Sequence, residues 1–235
     1  MLAGQPLTAI IPVRAGSKGI PGKNLLRFGG LTLLERAILL AKSSALVDRV
    51  LVTTDSPEMM AIAERHGVAM PVLRPAHLAS DMATTADAVL HLIDVCGISS
   101  GHLLLLQVTS PLRTRADLAA FLTHYQECDA RAAVSVVKHD EPRPEKLKRL
   151  EGGRIVPYLG TTYEGPRQAL PQAFALNGAF YAIGVEVFRR EKRFLPEGTA
   201  GFEMPSSRSA NLDSAEDLAV LQAMLETGRW TLEEL

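Results

Sequence analysis

The chain has 235 residues, 47% of them hydrophobic and 22% charged, with a formal net charge of -1. That composition supports a sizeable core and excludes a disordered chain. The absence of a basic excess or tail argues against nucleic-acid or membrane-surface binding. The N-terminus "MLAGQPLTAIIPVR" has no secretory pattern, and no apolar run approaches the roughly 20 residues of a membrane span. The two cysteines, Cys96 and Cys128, form no CxxC or metal-ligand pair. They read as free thiols, and the chain is expected to be cytoplasmic.

In chain order, short apolar runs alternate with helical patterns. "LTAIIPV" is a first strand, and "TLLERAILLAKSSA" has its apolar residues at helix spacing. "DRVLVTTD" is a second strand. "SPEMMAIAERHG" is a helix with Ser56 as N-cap, Pro57 at its first position and Gly67 as its stop. "MPVLRP" predicts a short strand, "TTADAVLHLIDVCG" a helix, and "HLLLLQVT" a strand buried on both faces. "TRADLAAFLTHYQE" is a helix capped by Thr114, and "AAVSVVK" a further strand. Residues 138–172, rich in Pro, Gly and charge, read as an inserted subdomain between core segments 1–137 and 173–235. The pattern resumes with "FALNGAFYAIG", a strand with Asn-Gly inside. "LDSAEDLAVLQAMLE" is a closing helix capped by Asp213 or Ser214. The rhythm predicts an α/β, doubly wound, mainly parallel sheet with helices on both faces. Such folds bind ligands beyond the carboxyl ends of their strands.

At that edge lies "IIPVRAGSKGIPGKNLLRFGG", a glycine-rich loop with Arg14, Lys18, Lys23 and Arg27 and no acidic residue. Glycines let backbone N–H groups turn toward an anion, and Arg14 offers a planar fork to phosphate oxygens. A triphosphate carries about four negative charges, which four cations would offset. The loop is not a Walker A motif, because Asn24 follows Lys23. It is not GxGxxG either, because its glycines stand three apart and Pro21 falls where a helix should start.

Four further constellations carry polar groups. "RPAHLASDMATT" sets Arg74, Ser80, Asp81, Thr84 and Thr85 before a helix, where the hydroxyls cap it or meet a base or sugar edge. "QVTSPLR" is a strand-end loop, and Asn177 and Tyr181 interrupt an otherwise apolar strand, so that one of them facing a ligand is plausible. Asn211 and Asp213, two apart on an extended segment, face one side and suit Mg²⁺, unless Asp213 only caps the helix. The histidines at 66, 77, 91, 102, 124 and 139 show no metal spacing, and none is assigned catalysis.

Taken together, "IPVRAGSKGIPGKN", "VLVTTDS", "RPAHLASD", "LLQVTSPLR", "PRQALPQAFALNGAFY" and "NLDSAEDL", in that order, resemble the acylneuraminate cytidylyltransferase family over nearly the whole chain. CMP-Kdo synthetases, close cousins, carry an "STRLPGK"-type loop, so "SKGIPGKN" favours the branch acting on nonulosonic acids. The resemblance implies a Rossmann-like nucleotidyltransferase that makes a CMP-sugar and pyrophosphate from CTP and a nine-carbon 2-keto sugar acid, with Mg²⁺ as cofactor. It implies that Arg14, Ser17, Lys18, Lys23 and Asn24 hold the triphosphate, with Arg74 and Thr85 at base and ribose. Gln107, Arg167, Tyr181 and Phe194 would meet the sugar acid, with Lys146 or Lys148. Arg14, Lys23, Gln107 and Asp213 would carry the chemistry. The family commonly has D-x-D where this chain has Asn211-Leu212-Asp213, so Asp213 is expected to carry the metal and Asn211 to assist without charge. The resemblance also implies a homodimer, with the inserted subdomain reaching over the partner's site. Two alternatives are a nucleotidyltransferase acting on another sugar, such as a CMP-Kdo synthetase, and a non-catalytic CTP-binding homologue.

Overall fold

The computed structural model describes residues 1–16, 19–68, 72–160, 165–166 and 169–235. In chain order the elements are β1 (Leu7–Pro12), β2 (Arg27–Phe28), β3 (Leu31–Thr32), α1 (Leu33–Lys42), β4 (Arg49–Thr53), α2 (Pro57–Arg65) and α3 (Thr85–Val95). They continue with β5 (His102–Leu105), α4 (Arg115–Glu127), β6 (Ala132–His139), β7 (Lys148–Glu151), β8 (Arg154–Pro157), β9 (Ala173–Gly184), α5 (Val185–Glu191), β10 (Ala200–Met204) and α6 (Ala215–Glu226).

Six strands form one sheet in the order β10-β6-β9-β5-β1-β4. β1 runs parallel to β4 and β5, and β10 parallel to β6. β9 lies antiparallel between β5 and β6. Alternation along the strands splits the core in two. Ala9, Ile11, Leu104 and Leu106 face α1, α2, α4 and α6, whereas Ile10, Leu51, Leu103 and Leu105 face α3 and α5. The expected doubly wound sheet is present, and its antiparallel strand is the one that carries Asn-Gly.

The caps follow the sequence closely. Ser56 accepts from Met59 N with Pro57 at the first turn, and Thr114 forms a capping box with Asp117. Of the two candidates before α6, Ser214 is the cap, accepting from Asp217 N. Thr84 likewise caps α3 through a box with Asp87.

Three local expectations change. The described part of "MPVLRP", Val72 to Pro75, forms no strand. The backbone bond from Arg74 N to Thr54 O and the Arg74 side chain tie it down. β5 stops at Leu105 because the rung after Leu106 N to Ile10 O would need the N–H that Pro12 lacks. α5 and β10 were not anticipated at all. β10 adds to the sheet edge beside β6 and leads into the 205–213 segment.

Within residues 138–172, β7 and β8 pair as a hairpin separate from the main sheet. Leu150 and Ile155 on it are each 74% exposed, and Tyr158, Leu159, Phe174 and Leu176 add further exposed apolar area. Among the described residues, no helix is long and apolar enough to cross a membrane.

Candidate active site

The loop after β1 folds back against the strand ends. Asp55 accepts from Ala15 N at 2.9 Å and holds its start. Asn24, 7% exposed, donates to Arg14 O at 2.9 Å and closes the loop from behind. Gly22 has φ 65, a left-handed conformation that suits glycine. At Gly19 a Cβ would run into the carbonyl oxygen of Asp213, so the loop passes close against the segment before α6. Ser17 and Lys18 lie outside the described residues.

Between this loop, the N-terminus of α3 and the end of β5 is a cavity of about 510 Å³. Arg14, Lys23, Asn24, Arg74, Thr85, Gln107, Asn211 and Asp213, all singled out from the sequence, line it together with Thr84 and Thr109. The position is the one the fold class predicts, beyond the carboxyl ends of β1 and β5. The first N–H groups of α3 add partial positive charge near Thr84 and Thr85.

The charged groups are already paired. Arg14 Nη1 donates to Asp81 Oδ1 at 3.1 Å and lies 3.4 Å from the carbonyls of Ala79 and Ser80. Lys23 Nζ donates to Leu212 O at 2.7 Å and Asp213 Oδ1 at 3.0 Å. Arg74, 8% exposed, reaches Val13 O at 3.0 Å, Thr53 Oγ1 at 3.1 Å and Thr53 O, clamping the ends of β1 and β4. Burial lowers its pKa. Its Nε and one terminal nitrogen are thus engaged by protein, and it shapes the wall of the cavity. Arg27 turns away, donating to Gly30 O.

Asn211 and Asp213 do face one another on an extended segment, which Leu212 N anchors to Thr109 O at 2.8 Å. Asn211 Nδ2 donates to Asp213 Oδ2 at 2.6 Å, while the buried Asn211 Oδ1 has no hydrogen-bond partner. An orphaned amide oxygen beside an exposed carboxylate is a hard-oxygen donor set, and it fits a Mg²⁺ that keeps waters and phosphate oxygens as its other ligands. No group of three His, Cys, Asp or Glu among the described residues forms a metal cluster.

The residues proposed for the sugar acid are less gathered. Gln107 lines the cavity. Tyr181 and Phe194 do not; they pack together at 6.2 Å in the apolar cluster under α3 and α5, with Phe194 also 4.6 Å from Phe188. Burial raises the pKa of the Tyr181 phenol, which stays protonated. Lys146 ends a short 3-10 turn, Pro144–Lys146, and is exposed, as is Lys148. Arg167 lies outside the described residues. Thr109 carries a backbone role that its side chain could not announce.

Residues 8–150 match the family model described as cytidylyltransferase. The chain is 30% identical to an N-acylneuraminate cytidylyltransferase of Streptococcus agalactiae serotype V over 88% of its length. It spans only about half of that relative, 50%. It is 28% identical to the CMP-N,N'-diacetyllegionaminic acid synthase of Legionella pneumophila, covering 96% of this chain and 99% of that protein. Its fold is similar to a CMP:2-keto-3-deoxy-manno-octonic acid synthetase solved with CTP, with TM-score 0.70, 18% identity, and coverage of 95% and 99%. With the family match spanning most of the sheet and the whole loop that lines the cavity, the chain belongs to the cytidylyltransferase family.

Proposed function

We propose that the chain transfers the cytidylyl group of CTP to the anomeric hydroxyl of a nine-carbon 2-keto sugar acid, releasing pyrophosphate. The observation that carries this reading is the convergence of Arg14, Lys23, Gln107, Asn211 and Asp213 on one cavity at the strand ends. The named relatives supply the substrate class.

The hydroxyl oxygen forms a new bond to the α-phosphorus while the bond to the pyrophosphate oxygen breaks, and the hydroxyl proton is lost. Such chemistry rests on positioning and charge neutralisation. Arg14 and Lys23, with Ser17, Lys18 and Asn24 of the same loop, hold the triphosphate. Thr85 meets the nucleotide at the head of α3, and Arg74 holds the wall behind it. Gln107 orients the sugar acid. Asn211 and Asp213 would hold Mg²⁺, which when bound would supply charge neutralisation for the phosphates.

We further propose a homodimer. The exposed apolar side chains Leu150 and Ile155, paired across β7 and β8, and Phe174 and Leu176 at the start of β9 support a covered face. Lys146 and Arg167 on the inserted segment would then serve the partner's cavity, which accounts for the exposure of Lys146 in one chain.

The test mixes CTP, Mg²⁺ and a panel of nonulosonic acids, 3-deoxy-octulosonic acid and sugar phosphates. Pyrophosphate and a CMP-sugar are expected with at least one nonulosonic acid. CTP binding without pyrophosphate from any acid would overturn the proposal.

A further inference from the structure

β9 bulges where it passes the cavity. Val134 pairs with Tyr181 and Val136 with Leu176, so two residues along β6 face five along β9. The surplus is Asn177, Gly178 and Ala179, with Gly178 at φ +72. A looped-out turn in a central strand leaves backbone groups without rungs, and each must find a partner.

Four side chains supply them, one being Asn177 itself, whose Oδ1 accepts from Ala179 N at 3.2 Å. Ser110 Oγ donates to Asn177 O at 3.1 Å, and Arg113 Nη1 donates to Ala179 O at 2.6 Å. Ser135 Oγ accepts from Phe180 N at 2.8 Å and donates to Asn177 Oδ1 at 2.6 Å. Asn177 Nδ2 donates to Ser209 Oγ at 3.0 Å, tying the bulge to the chain that leads into Asn211. Asn177 is 2% exposed and Arg113 3%. Arg113 is buried without an acidic partner among the described residues, and its pKa falls to about 9. Burying a cation in this way is costly, so the bulge it holds is not incidental.

The bulge presses Gly178 between two cavity side chains. A Cβ there would lie 2.6 Å from Gln107 Oε1, 3.3 Å from Ser110 Oγ and 3.5 Å from Asn211 Oδ1. The first distance is far below van der Waals contact. Among the described residues, no hydrogen bond from the bulge reaches Arg14, Lys23 or the head of α3, which also line the cavity.

We propose that Asn177 and Gly178 are positioning residues that set the gap between Gln107 and Asn211, and so tune the cavity for the sugar acid while leaving metal-free CTP binding alone. The assignment of the sugar acid to Gln107 rests on the function proposed above; the positioning itself does not.

Two measurements test it. In a crystal structure of Gly178→Ala, the Gln107 side chain is expected to swing away from its present place; a Gln107 that stays put overturns the inference whatever the activity. In kinetics, Gly178→Ala should raise KM for the sugar acid on the order of 10-fold and leave the CTP dissociation constant, measured by calorimetry without Mg²⁺, within about twofold. In a Gln107→Ala background the same change should have little further effect, because residues that act through one another are not additive. Full additivity, or equal losses for both substrates, would overturn the proposal. Should the left-handed position leave Gly178→Ala unfolded, Ser209→Ala tests the same link from outside the strand. It is expected to raise KM for the sugar acid several-fold with an unchanged thermal midpoint, and an unchanged KM overturns the proposal.

Discussion

Lys23 and Asp213 stand 190 residues apart in sequence and form an ion pair of 3.0 Å across the mouth of the cavity. The lysine side chain is 12% exposed and the aspartate side chain 64%. One belongs to the loop proposed for the triphosphate and the other to the proposed metal position. Each therefore neutralises its neighbour when neither ligand is bound. Asp213→Ala should have opposite effects on two measurements. Without Mg²⁺ it should bind CTP more tightly than the wild type in calorimetry, because Lys23 is released and a carboxylate is gone. With Mg²⁺ it should lose about 10²-fold or more in kcat/KM for pyrophosphate release, with little response to added metal.

The N-cap of α6 lies directly after Asp213, so stability and site geometry meet there. Ser214 accepts from Asp217 N at 3.1 Å, and Asp217 Oδ2 accepts from the backbone N–H of Asp213 at 3.0 Å and of Ser214 at 2.8 Å. These bonds lower the Asp217 pKa. Ser214→Ala should cost about 1 kcal/mol in urea unfolding. The Asp217 contribution is present above the usual aspartate pKa and is lost as pH falls through the lowered value. Asp217→Asn should therefore flatten the acid limb of the stability profile.

His102 offers a second pH test on a different part of the fold. Its Nδ1 lies 3.0 Å from the Tyr125 hydroxyl, and burial lowers its pKa below the usual histidine value. Burial also holds the Tyr125 phenol protonated. Above about pH 6.5 the imidazole is neutral in folded and unfolded chains alike. Below that, the unfolded chain takes up a proton that the folded one resists, so stability falls with acid. Replacing His102 with Gln should reduce the loss in urea midpoint between pH 7.5 and 5.5.

The proposed dimer is tested on the hairpin. Leu150→Glu with Ile155→Glu places two like charges on the exposed apolar face of β7 and β8. Sedimentation should shift from dimer to monomer, with a thermal midpoint close to that of wild type once concentration is matched. A monomeric wild-type protein that is fully active would remove the basis for that assembly.

Much of the architecture was legible because burial writes itself into period. The strands at Leu7 and Arg49 and the helices at Leu33, Pro57, Thr85 and Arg115 each begin at a capping residue or an apolar run, and stop at glycine, at a turn or at Pro12. β10 was missed because Ala200–Met204 pairs only along β6 at the sheet edge and carries one buried side chain, Met204. Arg14, Lys23, Gln107 and Asp213, which their side-chain chemistry marks in the sequence, line one cavity. Tyr181 is different. A tyrosine on an apolar strand has the same letter whether it faces a ligand or fills a core beside Phe194. The pairing of Asp213 with Lys23, and of Arg113 with a bulge carbonyl, depends on folding together segments far apart in the chain.

β9 is a single strand of 12 residues, about 40 Å if fully extended. It begins at Ala173 among the exposed side chains of Phe174 and Leu176, passes through Gly178 beside Gln107, and ends at Gly184, the N-cap of α5. One continuous strand therefore joins the outer apolar side chains to the wall of the cavity. A second copy covering that face, as proposed above, would bear on the strand that carries Gly178. Specific activity should then fall on dilution before the protein unfolds, with KM for the acid rising ahead of KM for CTP.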